Sequence, residues 1–235
     1  MINSQIVKDY SEYSGLSIDE IILNSGMSKE LNRDNFKSSV DSKDFYENSD
    51  TYIYDLFHAN HDENSLAQKI DFFSPGFFYD ISSRRSGKFL EFGGGLGVFC
   101  EIVKKRTNLE VVYCDIKTKI SDFTLWRYDK YKVPIETMII PQDDFELPEK
   151  YDVIFTDAVI EHLPAEQQEK YVKKLGSYVK KFGLLCLLID LEGSNPEMPM
   201  HNDVDIFKLH SLLEQNGLSC VYGKNTFSSR WVKVH

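Results

Sequence analysis

The sequence has few cysteines, and none of them is spaced as a metal ligand or as a redox pair. Cys100, Cys114, Cys186 and Cys220 stand singly inside apolar segments. C-x-x-C pairs, which zinc sites and thiol redox sites use, do not occur in the sequence. We therefore expect reduced thiols buried in the core of a cytoplasmic protein and no disulfide framework.

Long apolar runs and excess positive charge are also missing. The longest uninterrupted apolar run covers residues 184–189, far short of the roughly 20 residues that a transmembrane helix needs. The first ten residues, MINSQIVKDY, contain no apolar stretch typical of a secretory signal. With 27 Lys and Arg against 37 Asp and Glu, the formal net charge is −10, which would repel a phosphate backbone. We expect neither a membrane nor a nucleic-acid partner, and the oligomeric state stays open.

The chain does contain enough apolar material for a packed fold. It has 235 residues, of which 42% are hydrophobic, as in globular proteins. Residues 1–85 show helical patterns without a convincing buried strand, and they are predicted to form a helical N-terminal cap. Residues 86–235 alternate strands and helices, which predicts an α/β domain with a mostly parallel sheet and helices on both faces. Seven segments are candidate strands, namely residues 88–92, 109–115, 137–140, 151–157, 183–190, 218–222 and 230–235.

A glycine-rich turn follows the first candidate strand, at the edge where parallel sheets bind ligands. Residues 91–97 read EFGGGLG. A glycine turn that leads into a helix offers backbone N–H groups and the positive end of the helix dipole to a ligand. The dinucleotide pattern G-x-G-x-x-G is not met, because Val98 and Cys100 stand where it needs its last glycine. The pattern that fits is E-x-G-x-G-x-G, formed by Glu91, Gly93, Gly95 and Gly97.

Acidic residues follow the next strands. Asp115 ends the second strand, where a carboxylate can accept hydrogen bonds from both hydroxyls of a ribose. Asp143 follows the third strand in PQDDFELP and is placed to accept from an adenine amino group. Such residues are also common as turn formers or helix caps. The fourth strand, YDVIFTD, ends at Asp157 and is followed by Glu161 and His162 in the run EHLP.

Taken in order along the chain, these features resemble the class I S-adenosylmethionine-dependent methyltransferases. The likeness covers residues 88–222 and consists of E-x-G-x-G-x-G, the strand-end Asp, D-x-x-x-L-P and YDVI-x-x-D-x-x-x-EHLP. It implies a Rossmann-like sheet of seven strands, one of them antiparallel. It also implies that the glycine turn approaches the methionine part of S-adenosylmethionine, that Asp115 holds the ribose and that Asp143 reads the adenine. The full set of expected cofactor-binding residues is Glu91, Gly93, Gly95, Gly97, Asp115, Ile116, Asp143, Asp144 and Asp157.

Two segments depart from the family pattern. Residues 120–132, ISDFTLWRYDKYK, are a poor match for the regular helix that usually follows the second strand. The ubiquinone-type O-methyltransferases carry E-x-x-E-H at a proposed metal site. Ala158 stands at the matching first position here, so Glu161 and His162 lack a third ligand and we expect no metal.

Histidines and aromatic residues are the candidates for the acceptor side. An acceptor of high pKa needs a base within hydrogen-bond reach, and His162 and His201 both follow strands. His201 is in addition a candidate to contact the substrate. The alternatives are a packing or capping role for His162 and an exposed loop position without function for His201. Four residues of the N-terminal cap are candidates to wall the acceptor pocket, or else to pack a helix onto the sheet: Tyr46, Tyr52, Tyr54 and His58.

The sequence thus predicts a methyltransferase that uses S-adenosylmethionine, leaves S-adenosylhomocysteine as product, and modifies an oxygen or nitrogen of a small molecule or peptide. A natural-product or peptide-modifying enzyme would fit this description. Two alternatives stay open. One is a nicotinamide-dependent oxidoreductase, against which the broken G-x-G-x-x-G pattern and the EHLP run argue. The other is a catalytically silent module that binds S-adenosylmethionine.

Overall fold

One mixed sheet of seven strands organises the protein. The computed structural model describes residues 5–59 and 63–235, with the side chains of residues 58, 59 and 63–65 excepted. The strand order is β3-β2-β1-β4-β5-β7-β6. Strands β1 to β5 run parallel, and β7 is antiparallel to its neighbours β5 and β6. The strands are β1 (Lys88–Phe92), β2 (Glu110–Ile116), β3 (Glu136–Ile140), β4 (Tyr151–Asp157), β5 (Val179–Leu188), β6 (Leu218–Tyr222) and β7 (Ser228–Lys233). The predicted fold class is confirmed.

Seven helices precede the sheet in the described ranges, residues 5–59 and 63–87. Their bounds are α1 (Gln5–Ser14), α2 (Ile18–Gly26), α3 (Ser28–Phe36), α4 (Ser42–Asn48), α5 (Tyr52–Ala59), α6 (Glu63–Phe73) and α7 (Phe77–Ser82). Local signals start several of them. Ser17 and Glu20 form a capping box at α2, in which the Ser17 hydroxyl accepts from the Glu20 N–H and the Glu20 carboxylate accepts from the Ser17 N–H. Asp41 caps α4 by accepting from the Asp44 N–H.

Four helices connect the strands, together with a short 3₁₀ turn at Ile160–His162. They are α8 (Val98–Arg106), α9 (Lys119–Tyr131), α10 (Ala165–Tyr178) and α11 (Ile206–Gln215). We call residues 93–97, which join β1 to α8, the glycine loop.

Residues 120–132 are a poor match for a regular helix in the sequence, but the structure forms one here: α9 covers Lys119–Tyr131, and Lys132 is its C-cap. Thr118 and Ser121 start it with a reciprocal capping box, at 3.0 and 2.9 Å. Its buried face carries Phe123 but also Thr124, Arg127 and Tyr128. These polar groups weaken the apolar periodicity that marks a helix in a sequence. They are buried because they bind the backbone of the glycine loop.

The two faces of the sheet are covered by different helices. Alternate side chains of a strand point to opposite faces, so Phe89 packs on one side and Leu90 on the other. The Phe89 side shares its core with α1, α2 and α5 to α9, and the Leu90 side packs against α10 and α11. The N-terminal helices therefore complete the core of one face of the sheet. Within residues 5–59 and 63–235, no helix has the length and apolar character needed to cross a membrane.

Candidate active site

A cavity of about 300 Å³ lies at the carboxyl ends of β1, β2 and β4. This volume is at the lower end of the range for small-molecule sites. The floor includes the glycine loop and the strand-end residues Asp115 and Asp157. The N-terminal helices supply the roof through Asn32, Tyr46, Tyr52, Asp55, Leu56, Leu66, Lys69 and Ile70. The cavity therefore combines the end of the sheet, where ligands were expected, with the helical cap.

The glycine loop requires its glycines for two reasons. The φ angles of Gly93, Gly95 and Gly97 are 76°, 51° and 69°, in the left-handed region that side chains disfavour. A Cβ atom on Gly93 would lie 2.2 Å from Cγ2 of Val159, and one on Gly97 would lie 2.3 Å from the hydroxyl of Tyr128. The loop is thus held between its neighbours, with its backbone against the cavity.

Asp115 is fixed by two backbone donors and lies beside one hydroxyl, that of Tyr113, which donates to the nearer Gly95 carbonyl at 2.9 Å. The Asp115 carboxylate accepts from the N–H groups of Gly95 and Ile116, both at 2.7 Å, and lies 3.2 Å from the hydroxyl of Tyr113. Burial raises the pKa of Asp115 to about 6, although these hydrogen bonds act in the opposite direction. The residue lines the cavity together with Ile116. A carboxylate has about four acceptor positions, so this one retains capacity for a ligand.

Two further residues of the cavity lining, Glu91 and Gln142, each carry a buried oxygen without a hydrogen-bond partner among the described residues. These atoms are Oε2 of Glu91 and Oε1 of Gln142. Burial raises the pKa of Glu91 to about 8. Buried polar atoms of this kind usually need a partner. A ligand with hydrogen-bond donors would satisfy both.

The structure does not bring Asp143 and Asp144 to the cavity. Asp143 forms an exposed ion pair with Lys43 of α4 at 2.6 Å. Asp144 pairs on the surface with Lys170 and Lys174 of α10, at 3.2 and 2.7 Å. Within the described part of the chain, the residue after β3 that lines the cavity is Gln142. The position of Gln142 directly after a strand was the sequence signal for this residue. Spacing along the sequence does not predict which of several residues after a strand turns toward the cavity.

Asp157 lines the cavity as expected from its strand-end position, and it has a partner that the sequence did not indicate. Lys69 of α6 lies 3.2 Å from its carboxylate and lines the same cavity. Lys69 belongs to no motif, since it reaches the site only through the packing of α6 on the sheet. Asp55 of α5, which accepts from the Ser28 hydroxyl at 3.0 Å, was missed for the same reason.

His162 and His201 come together at one end of the cavity. Their ring centroids are 4.8 Å apart. Nδ1 of His162 lies 2.5 Å from the hydroxyl of Tyr46, and Nδ1 of His201 lies 3.8 Å from a carboxylate oxygen of Asp190. Burial lowers the pKa of both histidines, that of His162 well below 6.5, so both rings are neutral at pH 7. His201 is only 8% exposed, which removes the alternative of an exposed loop residue.

Glu161 lies at the same end and is completely buried. Its Oε1 accepts from the Asp190 N–H at 2.9 Å, and burial raises its pKa to about 8. Three buried atoms of this group have no hydrogen-bond partner in the described residues: Oε2 of Glu161, Nε2 of His162 and Nδ1 of His201. The sequence had singled out Glu161 only as a possible metal ligand at a site that lacks its third ligand. Its burial within the cavity lining is the new observation.

The aromatic residues of the cap divide between the cavity and the core. Tyr46 and Tyr52 line the cavity, and Tyr46 belongs to a small apolar cluster with Phe45 and Met200. Tyr54 instead packs in the core beside Tyr10, with ring centroids 6.4 Å apart. The side chain of His58 lies outside the described residues, so its predicted contact with substrate stays a prediction.

The roof is tied to the loop that follows β5. The Ser42 hydroxyl donates to the Met200 carbonyl at 3.0 Å, and Lys29 pairs with Glu197 at 2.6 Å. Met198 and Met200 of this loop line the cavity beside His201. The end of the cavity that holds the histidines is thus enclosed by flexible thioether side chains and by tyrosine rings.

Comparisons with known proteins agree on one family. A family model described as a methyltransferase domain matches residues 57–233. Among solved structures, the chain is similar to an O-methyltransferase family protein from Burkholderia thailandensis, with a TM-score of 0.58, 12% identity, and coverage of 91% of this chain and 72% of that one. It is also similar to an S-adenosylmethionine-dependent methyltransferase from Clostridium acetobutylicum, with a TM-score of 0.58, 12% identity, and coverage of 78% and 96%.

A third similar structure is an O-methyltransferase family 2 protein from Planctomyces limnophilus in complex with apigenin. Its TM-score is 0.51 at 14% identity, with coverage of 73% of this chain and 59% of that one. At these identities the structural likeness shows the fold. Among proteins with curated functions, none matches this chain in sequence.

Proposed function

The chain belongs to the methyltransferase-domain family, and from this premise we propose that it transfers the methyl group of S-adenosylmethionine to an oxygen or nitrogen of a small-molecule or peptide acceptor. The observation that supports an acceptor at this site is the convergence of buried polar atoms from Glu161, His162 and His201 at one end of the cavity. Such atoms are costly to bury unless a ligand supplies their partners. With a cavity of about 300 Å³, the part of the acceptor that enters is small.

The opposite end of the cavity is assigned to the cofactor. The unpaired oxygens of Glu91 and Gln142, together with the backbone of the glycine loop along the cavity, fit a ligand with several hydrogen-bond donors. Gly93, Gly95 and Gly97 would accommodate the methionine part, and Asp115 with Ile116 the ribose. Gln142 is a candidate for the adenine beside Asp143, whose carboxylate is paired with Lys43. When bound, S-adenosylmethionine supplies an electrophilic methyl carbon on a positively charged sulfur.

Gly97→Ala is expected to weaken both the fold and cofactor binding. The new Cβ would meet the Tyr128 hydroxyl at 2.3 Å in a backbone with φ of 69°. Left-handed strain and overpacking together would lower the free energy of unfolding by about 2–5 kcal/mol. The displaced loop should raise the Kd for S-adenosylhomocysteine at least about tenfold, measured by calorimetry.

Gly15→Ala is the matched control for Gly97→Ala. Gly15 has a φ of 78°, and a Cβ there would meet no described atom within 4 Å. It shares the backbone strain without the collision and lies in the turn after α1. We expect a small loss of stability and an unchanged Kd. Equal effects of the two substitutions on the Kd would contradict the role assigned to the glycine loop.

His162 is proposed as the base that takes the acceptor's proton. Its ring is neutral at pH 7 because burial lowers its pKa. A neutral imidazole carries one proton, so Nε2 offers a lone pair only when Nδ1 is protonated. In that tautomer Nδ1–H donates to the Tyr46 oxygen, 2.5 Å away. The lone pair of Nε2 is then free for an acceptor O–H or N–H within hydrogen-bond reach.

The walls at this end would exclude water and align the acceptor. Met198, Met200, Tyr46 and Tyr52 surround the histidines with apolar surface. Methyl transfer disperses the charge of a sulfonium, and a dry, ordered site favours such a reaction. Methionine side chains adapt to irregular shapes, which suits the recognition of a compact organic group. The acceptor is thus expected to present an apolar body and one ionisable O–H or N–H group.

The direct test is a search for the methylated product. The protein would be incubated with isotope-labelled S-adenosylmethionine and a panel of small hydroxyl and amine compounds in isosteric pairs, together with short peptides, and the mixtures examined by mass spectrometry. We expect a labelled methyl group on oxygen or nitrogen of one member of a pair. Methylation at carbon, or S-adenosylhomocysteine binding without turnover of any acceptor, would contradict the proposal.

His201→Ala is expected to lower turnover by about tenfold and to leave the Kd for S-adenosylhomocysteine within about twofold, because the ring faces His162 rather than the glycine loop. Steady-state kinetics with the acceptor found above, together with calorimetry, would measure the two effects. A large loss of cofactor affinity with unchanged kcat would instead place His201 in the cofactor site.

A further inference from the structure

Three successive carbonyls of the glycine loop accept hydrogen bonds from one face of α9. The Thr124 hydroxyl donates to the Gly95 carbonyl at 2.8 Å. Arg127 Nη1 donates to the Leu96 carbonyl at 2.8 Å, and the Tyr128 hydroxyl donates to the Gly97 carbonyl at 2.7 Å. Arg127 and Tyr128 stand three and four residues after Thr124, so the three donors share a face of the helix. This face fixes the direction of each peptide unit in the part of the loop that lines the cavity.

Arg127 is the charged member of this set and is buried, with 6% of its surface exposed. Besides the Leu96 carbonyl, it binds Oε1 of Glu101 through Nη2 at 2.6 Å. Its Nε lies 3.5 Å from Oδ2 of Asp9, an ion pair too long for a well-formed hydrogen bond. A buried guanidinium needs compensating charge, and Asp9 provides part of it.

Asp9 brings α1 into this arrangement. It is 1% exposed, and its Oδ1 accepts from Tyr131 at 2.5 Å and from Lys130 and Gln5, both at 3.1 Å. Burial would raise the pKa of Asp9, but these hydrogen bonds outweigh it and the pKa is lowered. The carboxylate is therefore a fixed negative charge beneath Arg127. Helix α1 lies outside residues 57–233, the part of the chain that the methyltransferase family model matches.

We propose that helix α1 sets the affinity for S-adenosylmethionine: Asp9 positions Arg127, and Arg127 holds the Leu96 carbonyl so that the glycine loop keeps its binding conformation. Both are positioning residues, since neither side chain lines the cavity in the described part of the chain. A loop with three left-handed glycines has many conformations when released. Holding it before the ligand arrives removes that ordering cost from binding. The proposal concerns the cofactor and does not depend on the nature of the acceptor.

The test measures S-adenosylhomocysteine binding by calorimetry in Arg127→Met. We expect the Kd to rise on the order of tenfold, because a charge-assisted hydrogen bond to the loop is lost. Amide hydrogen exchange of residues 93–98 should become faster. Arg127→Lys keeps the charge and one donor and should fall between Arg127→Met and the unmodified protein. A normal Kd in a folded Arg127→Met protein would overturn the proposal.

Arg230→Met is the matched control for a loss of stability alone. Arg230 is 8% exposed, donates to the Pro75 carbonyl at 2.7 Å and pairs with Asp80. It lies in β7 and anchors α7 instead of the glycine loop. We expect a comparable fall in Tm with an unchanged Kd. If Arg230→Met raised the Kd as much as Arg127→Met, the effect would be general destabilisation and the proposal would fail.

A double-mutant cycle tests the link through α1. Asp9→Asn keeps the shape of the side chain and removes its charge, and we expect a rise in Kd of about threefold. If Asp9 acts through Arg127, the Asp9→Asn/Arg127→Met protein should bind as Arg127→Met does, since the two effects are not independent. Additive effects would overturn the assignment to Asp9. If Arg127→Met does not fold, the cycle with Arg127→Lys decides the same question.

Discussion

Asp115→Ala is expected to raise the Kd for S-adenosylhomocysteine by about two orders of magnitude. The substitution would remove a carboxylate that can accept two charge-assisted hydrogen bonds from a ribose. It would also leave the Gly95 and Ile116 N–H groups without the acceptor that they reach at 2.7 Å. Both losses act on the same ligand, because Gly95 belongs to the glycine loop. Calorimetric titration of the purified variant would measure the change.

Asp152→Ala is the matched control for this experiment. Asp152 also accepts a backbone N–H, that of Lys88 at 2.8 Å, and pairs with Lys180, but it stands at the amino end of β4. Its loss should cost stability and leave the Kd unchanged. An unaltered Kd in Asp115→Ala would rule out the ribose assignment.

The pH dependence of binding provides a second measurement on Asp115. Its pKa in the folded protein is raised to about 6, chiefly by burial. Below that pH the Asp115 carboxyl of the free protein is protonated. It must lose this proton before it can accept hydrogen bonds from two hydroxyl groups. Affinity should therefore fall as the pH drops below about 6, and Asp115→Ala should lack this dependence.

His162→Gln is expected to lower kcat by about 10²- to 10⁴-fold, the usual contribution of a general base. The amide keeps a polar group near the Tyr46 hydroxyl but cannot take a proton. Binding of S-adenosylhomocysteine should stay within about twofold, since the histidines occupy the other end of the cavity. Single-turnover measurement of methyl transfer to the acceptor would separate the chemical step from product release.

His210→Gln is the control for His162→Gln. His210 is also fully buried, accepts from the Asn225 N–H at 2.8 Å, and contacts Ser229 outside the cavity lining. We expect lower stability and normal kcat. A wild-type kcat in His162→Gln would return His162 to the packing role that the sequence left open.

Since burial lowers the pKa of His162, the stability that depends on its neutral ring is present above pH 6.5 and is lost as the pH falls below that value.

The sheet could be predicted from the sequence because its strands are short apolar runs that end in polar residues at one edge. Asp115 and Asp157 were found in this way, and the glycines by their spacing. Helix α9 was missed because Thr124, Arg127 and Tyr128 occupy its buried face. These residues are buried because they donate hydrogen bonds to the glycine loop. Since the loop is distant in the sequence, no local sequence pattern indicates this.

The roof of the cavity was the least predictable part of the site. On α5, Tyr52, Asp55 and Leu56 face the cavity, whereas Ile53, Tyr54 and Phe57 are buried in the core. Helical periodicity separates these two faces, but it does not say which of them meets a ligand. That depends on how the helix packs on the sheet. The inward turn of Gln142 in place of Asp143 has the same kind of cause, since it depends on the course of the chain after β3.

The core shared by the N-terminal helices and the sheet limits how far the protein can be truncated. Ile6, Val7 and Ile21 belong to the same cluster as Phe89 and Phe155, although they precede the segment 57–233 matched by the family model. A fragment trimmed to that segment would keep α6 to α9 but lose α1, α2 and most of α5, and would expose to water the part of the core that these helices cover. The recognisable part of the sequence is therefore shorter than the autonomous folding unit, and expression of the domain should start before α1.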